Sequence, residues 1–211
     1  MNPEKIKEKN TNALRKSGIE VIDWLPYLDL TESRSSKDVA KRSVILAALL
    51  QLHFEAPNDF IEEYLKTNGL FEELSAREKK LLAIGHEDWP GQEKIDLEWS
   101  IEAIWAMQWA GGKHKHLTFN SYVEDSLAAM LPNFANNEPA DDYIQNFTLI
   151  SEERIFSELD KFYRAHWYAR NKNIENIKDH KVNLSIIMER RKALEWICDK
   201  ALSWDDIRLN T

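Results

Sequence analysis

The chain has 211 residues, 43% of them hydrophobic, and 28 Lys and Arg against 36 Asp and Glu give a net charge of −8. This balance excludes a disordered chain, the six Gly and six Pro exclude collagen-like and low-complexity classes, and one Cys excludes a disulfide scaffold. A chain this acidic is a poor candidate for the nucleic-acid backbone, which needs clustered Lys and Arg, so no nucleic acid is expected.

The charge is unevenly spread. Residues 51–100 carry 5 basic and 12 acidic groups and residues 101–150 carry 2 and 6, while both flanking parts are slightly basic. An acidic middle favours a basic partner electrostatically, although charge of this size also serves solubility alone. Residues 1–9 lack the apolar core of a secretory signal. The most apolar run, Val44 to Leu52, is far shorter than the ~20 residues of a membrane span. A soluble cytoplasmic protein with no membrane association is therefore expected, and the single Cys198 fits a reducing compartment.

In chain order the signals are almost all helical. Residues 3–17 open at Pro3 and close before Gly18, the proline-first, glycine-last asymmetry of a helix. Residues 19–25 alternate in polarity and read as a short extended segment over the core, without a partner strand. Ser35 to Asp38 is an N-cap signal for a helix that is apolar nearly all round between 44 and 52 and stops before Pro57. Asn58 reads as the cap of a short helix ending at Gly69. Ser75 and Glu78 form a capping box for a helix ending at Gly85. Residues 93–110 read as a helix carrying Ile101, Ile104, Trp105 and Trp109, ended by Gly111-Gly112. Tyr122 to Leu131 reads as a helix stopped by Pro132, and residues 132–147 as an irregular connection with one turn near 141–147. Ser151-Glu152-Glu153 begins a long helix through His166 and Trp167, and residues 182–201 form the last. The expectation is an all-α single domain spanning 1–211, an irregular bundle of about eight helices. No repeat of solenoid length is visible.

Three stretches together resemble a bacterial family of unknown function, DUF4272. The run Met188-Glu189-Arg190-Arg191-Lys192-Ala193-Leu194-Glu195-Trp196, followed by Ser203-Trp204-Asp205-Asp206-Ile207, is similar to that family's C-terminal ending. Glu195 stands here where the family tends to have Asn, and Asn210 where it tends to have Asp. Leu159 to Arg170 resembles a family helix containing Tyr-Arg-x-His-Trp, and Arg34, Arg42 and Glu102 to Trp105 form a third match. The resemblance implies an all-α soluble protein. It brings no reaction, cofactor or ligand.

The chemistry-bearing residues admit two readings. Asp160, Arg164, His166, Trp167 and Arg170 share one helix. In the functional reading, Arg164 and Arg170, with Arg42 and Arg190, hold an anionic small molecule while His166 moves a proton. In the structural reading, the arginines neutralise acids such as Glu189 or Asp205, and Asp160 pairs with Arg164 one turn away. His114-Lys115-His116 is the one metal-like spacing, without a third ligand motif. Phosphate-binding loops, dinucleotide fingerprints and nucleophile elbows are absent, so no residue stands out as catalytic and no cofactor or metal is expected. The preferred expectation is a protein-interaction domain whose acidic middle, residues 55–142, faces a basic protein partner. The alternative is a pocket protein or enzyme for an anionic small molecule. Oligomeric state is not set by the sequence.

Overall fold

Eight stretches of the chain satisfy their backbone hydrogen bonds as α-helix, and the computed structural model, which describes residues 1–210, holds no strand among them. They are α1 (Pro3–Lys16), α2 (Ser36–Leu50), α3 (Asn58–Thr67), α4 (Ala76–Ile84), α5 (Gly91–Ala110), α6 (Asp141–Asn146), α7 (Glu152–Ile174) and α8 (Leu184–Cys198), joined in part by short 3₁₀ turns. The all-α class is as the sequence suggests. No helix of the described residues is long and apolar enough to cross a membrane.

Local chemistry fixes most helix starts. Ser35 and Asp38 form one capping box and Ser75 and Glu78 another, while Asn2 caps α1 and Asn183 caps α8. Three sequence expectations are corrected. Asn58 is not a cap: its side chain donates to the Leu82 carbonyl and accepts from the His86 N–H, bridging α3 to the end of α4. The stretch 122–131 forms only a 3₁₀ turn at Asp125–Met130, with Leu127 its one buried residue. Too few apolar positions share a face there to hold an α-helix against the core. The last helix ends at Cys198, three residues early, where Asp199 turns extended.

Residues 19–25 lie over the core without pairing. Ile19, Val21 and Leu25 are buried with Leu14, Tyr163 and Tyr168, and Glu20 and Trp24 face outward. Gly18 turns the chain off α1 at φ +78°, a conformation that a side chain resists. The main core is built where α8 packs against both α5 and α7, with α2 on α5 and α1 on α7. Trp105 and Trp109 are core residues. His114 is stacked on Trp105 at 3.7 Å between ring centres, with Nε2 3.0 Å from the Trp105 carbonyl. The His114 ring is therefore spent on packing while His116 is exposed, and no cluster of three metal-ligating residues exists among those described. Cys198 is buried, and burial pushes its thiol up to about 12, out of nucleophilic range.

Gly111 ends α5 where the Phe147 ring closes on the backbone, and a Cβ there would collide with that ring. Gly111→Ala should lower stability by ~1–3 kcal/mol through forced repacking. Chemical denaturation would show this as a lower midpoint at unchanged slope.

Candidate functional site

The arginines singled out by sequence are mostly inside the protein. Arg164 and Arg190 are fully buried, and Arg42 and Arg191 are 4% and 3% exposed. A guanidinium taken out of water needs a carboxylate and further acceptors, and each of these four has a carboxylate. Arg164 donates from Nε and Nη2 to Asp160 at 2.9 and 2.7 Å, and Nη2 also reaches the Pro26 carbonyl. Asp160 accepts in addition from Asn10 of α1 at 2.9 Å. Arg190 holds Glu102 of α5 at 2.9 Å and donates to the carbonyls of Thr118 and Ser121. Arg42 is ion-paired with Glu78, its guanidinium over the Trp204 ring. Arg191 pairs with Glu195 and donates to the Asn210 carbonyl.

His166 lies 2.7 Å from Arg191 Nη1 through its Nδ1. Arginine has no acceptor, so Nδ1 must accept and the imidazole is neutral. Burial, then the positive charges of Arg191 and Arg170, lowers its pKa to about 4. Trp167 is half-buried beside the 19–25 segment, and Arg170 is exposed at the surface of the same helix. Glu189 is half-buried with Arg77, Trp204 and Asp205 around a hollow of about 150 Å³, and burial raises its pKa. The eight residues named from sequence thus do not converge. Asp160 and Arg164 meet each other, Arg190 meets Glu102, Arg42 meets Glu78, and Glu189 lies elsewhere. Arg34 and Arg191 were not among those residues. Arg34 donates to the Trp196 carbonyl and stacks over its ring at 4.0 Å.

A different surface collects the acidic middle of the chain. Tyr64 of α3 donates to the Glu138 carbonyl, and Asn68 accepts from the Ala140 N–H at the start of α6. Asn58 holds the other end of α3 to the α4 terminus and His86. These bonds bring to α3, which carries Asp59 and Glu63, the segments bearing Glu87 and Asp88 and Glu138, Asp141 and Asp142; these and Glu55 are exposed and none is in an ion pair among the described residues. At the Asn58 end two apolar side chains stand in water, Phe54 at 62% and Ile84 at 44% exposure. His53 packs edge-on against Phe54, and its charge contributes to the lowered pKa of His86, whose largest cause is burial. The surface around α3 therefore combines carboxylates outside any ion pair among the described residues, of which Asp59, Glu63 and Glu138 accept neutral donors, with exposed apolar side chains near Asn58.

These elements define an all-α protein whose buried arginines hold the helices and whose exposed carboxylates outside ion pairs include Asp59 and Glu63 of α3 and neighbours on the segments bonded to it. The chain belongs to DUF4272, a domain of unknown function, whose family model matches residues 6–207. No curated protein and no solved structure matches it.

Asp160→Ala leaves Arg164 buried without its counter-charge and should cost ~3–5 kcal/mol, a midpoint drop on the order of 10 °C in thermal unfolding. For His166 the folded pKa lies below the unfolded one. The stability gained by keeping it neutral is complete above pH 6.5 and is lost as pH falls towards 4. His166→Gln should therefore flatten the decline in stability between pH 6.5 and 5, measured by denaturation midpoint at each pH.

Proposed function

We propose that residues 1–211 act as one helical domain in the cytoplasm, a protein-interaction module that docks a basic partner on the α3 face. The observation that carries this reading is the pairing of unneutralised carboxylates with exposed Phe54 and Ile84. Interfaces combine an apolar centre that excludes water with a charged rim that selects the partner. Like charges collected on one surface cost the free protein self-repulsion, which a basic surface relieves. Neighbouring cations offset it only in part: Lys66 pairs with Glu62 and feels the charge of Glu63, and Lys94 donates to the Glu87 carbonyl, while Arg77 is taken by Glu93 and Asp96. The alternative, an anionic small molecule held by Arg164, Arg170 and His166, is weaker at that location. Two donor atoms of Arg164 are engaged by Asp160, and His166 already accepts from Arg191.

The test is affinity capture with tagged protein, followed by titration of the purified captured partner. The expected partner is basic. Its Kd should rise about tenfold or more on Phe54→Ala, as for a central anchor. It should also rise on the double charge reversal Asp59→Lys with Glu63→Lys, with a marked loss in high salt. A partner whose affinity ignores both changes overturns the assignment.

A further inference from the structure

The largest cleft of those characterised lies away from α3, where the first turns of α1, the loop after α5 and the first turns of α7 meet. Its volume is about 700 Å³, within the range that takes a metabolite or mononucleotide. In a protein of charge −8, this cleft carries Lys5, Lys9, Lys115, Arg154 and Lys161 against only Glu153 and Glu158. Of the cations, Lys161 is paired with Glu158, whereas Lys5, Lys9 and Lys115 have no carboxylate partner among the described residues. Arg154 lies 5.5 Å over the Trp109 ring. Lys5 and Lys9 stand one turn apart on the same face of α1, a like-charge arrangement that disfavours a helix unless something anionic lies between. Asn2, Lys5, Ile6 and Lys9 all line the cleft, so one face of the N-terminal half of α1 is turned to it. Ile6, Trp109 and Leu117 provide an apolar floor.

We propose that this cleft binds a phosphorylated small molecule of about mononucleotide size. Lysines act as mobile point charges and are established phosphate binders, while the planar fork of arginine matches carboxylate and phosphate alike. Here lysines outnumber arginine four to one, and the single guanidinium is turned over an indole. Both α1 and α7 also begin at the cleft, so their positive ends add to the same field. Glu153 also lines the cleft and opposes an anion there, so the cations outnumber but do not stand alone.

The experiment titrates the full chain with pyrophosphate, AMP and citrate, read by calorimetry and by thermal unfolding. Pyrophosphate and AMP should saturate one site and raise the midpoint by ~5 °C at a hundredfold excess over Kd. Lys9→Glu with Lys115→Glu, both exposed and without partners, should weaken them about tenfold or more. Arg154→Gln should weaken them less. Lys37→Glu with Lys80→Glu makes the same change in net charge away from the cleft and should leave affinity unchanged, as should Phe54→Ala. Absence of saturation by both phosphates, an equal loss in the Lys37/Lys80 variant, or citrate binding as tightly as pyrophosphate would each overturn the proposal.

Discussion

The burial of guanidinium groups between helices is the constraint on which the rest of this fold depends. Arg190 on α8 is ion-paired with Glu102 on α5, and Arg191, also on α8, donates to the neutral His166 on α7, so the central helix is keyed to one neighbour by charge and to the other by a hydrogen bond, as well as by apolar contact. Arg42 binds α2 to Glu78 of α4, and the Asn10–Asp160–Arg164 chain binds α1 to α7. None of these cations tolerates loss of its partner, because an uncompensated buried charge costs several kcal/mol.

The same arginines also organise the irregular parts of the chain. Long connections leave carbonyls without ladder partners, and a buried carbonyl needs a donor. Arg164 supplies one to Pro26, Arg190 to Thr118 and Ser121, Arg34 to Trp196 and Leu202, and Arg191 to Asn210. Arginine suits this task because its five donors allow one group to hold a carboxylate and a loop carbonyl together. The stretches before α2, after α5 and after α8 are thus fixed by side chains rather than by regular secondary structure.

Charge is segregated as a consequence. Many of the arginines are committed inside, so the surface potential is set by acids and lysines. Exposed carboxylates lie on α3 and on the segments bonded to its ends, while unpaired lysines from α1 and the loop after α5 gather at the cleft. A cationic cleft within an acidic surface repels most anions at long range and holds only those that reach it with enough charge.

The capping boxes at Ser35 and Ser75 were legible in the sequence because both partners lie three residues apart, and so was the Asp160–Arg164 pair, one helical turn apart. The glycines after α1 and α5 and the all-round apolar α2 were legible for the same reason: they report local geometry and total burial. Asn58 misled because a side chain able to cap its own helix is equally able to bridge two others, and only the approach of α4 decides between them. The partners of Arg190 and Arg34 lie 88 and 162 residues away along the chain, beyond any periodic signal. The cleft draws its cations from α1, from Lys115 and from α7, segments that look unremarkable one by one. By itself the sequence determined most of the helices and their apolar faces, since those follow from contacts within a turn or two, whereas 122–131 needed the packed core to show that it is not one. Which charges neutralise one another and which are left free was decided by the tertiary structure, because ion pairing depends on distances that exist only once the helices have packed.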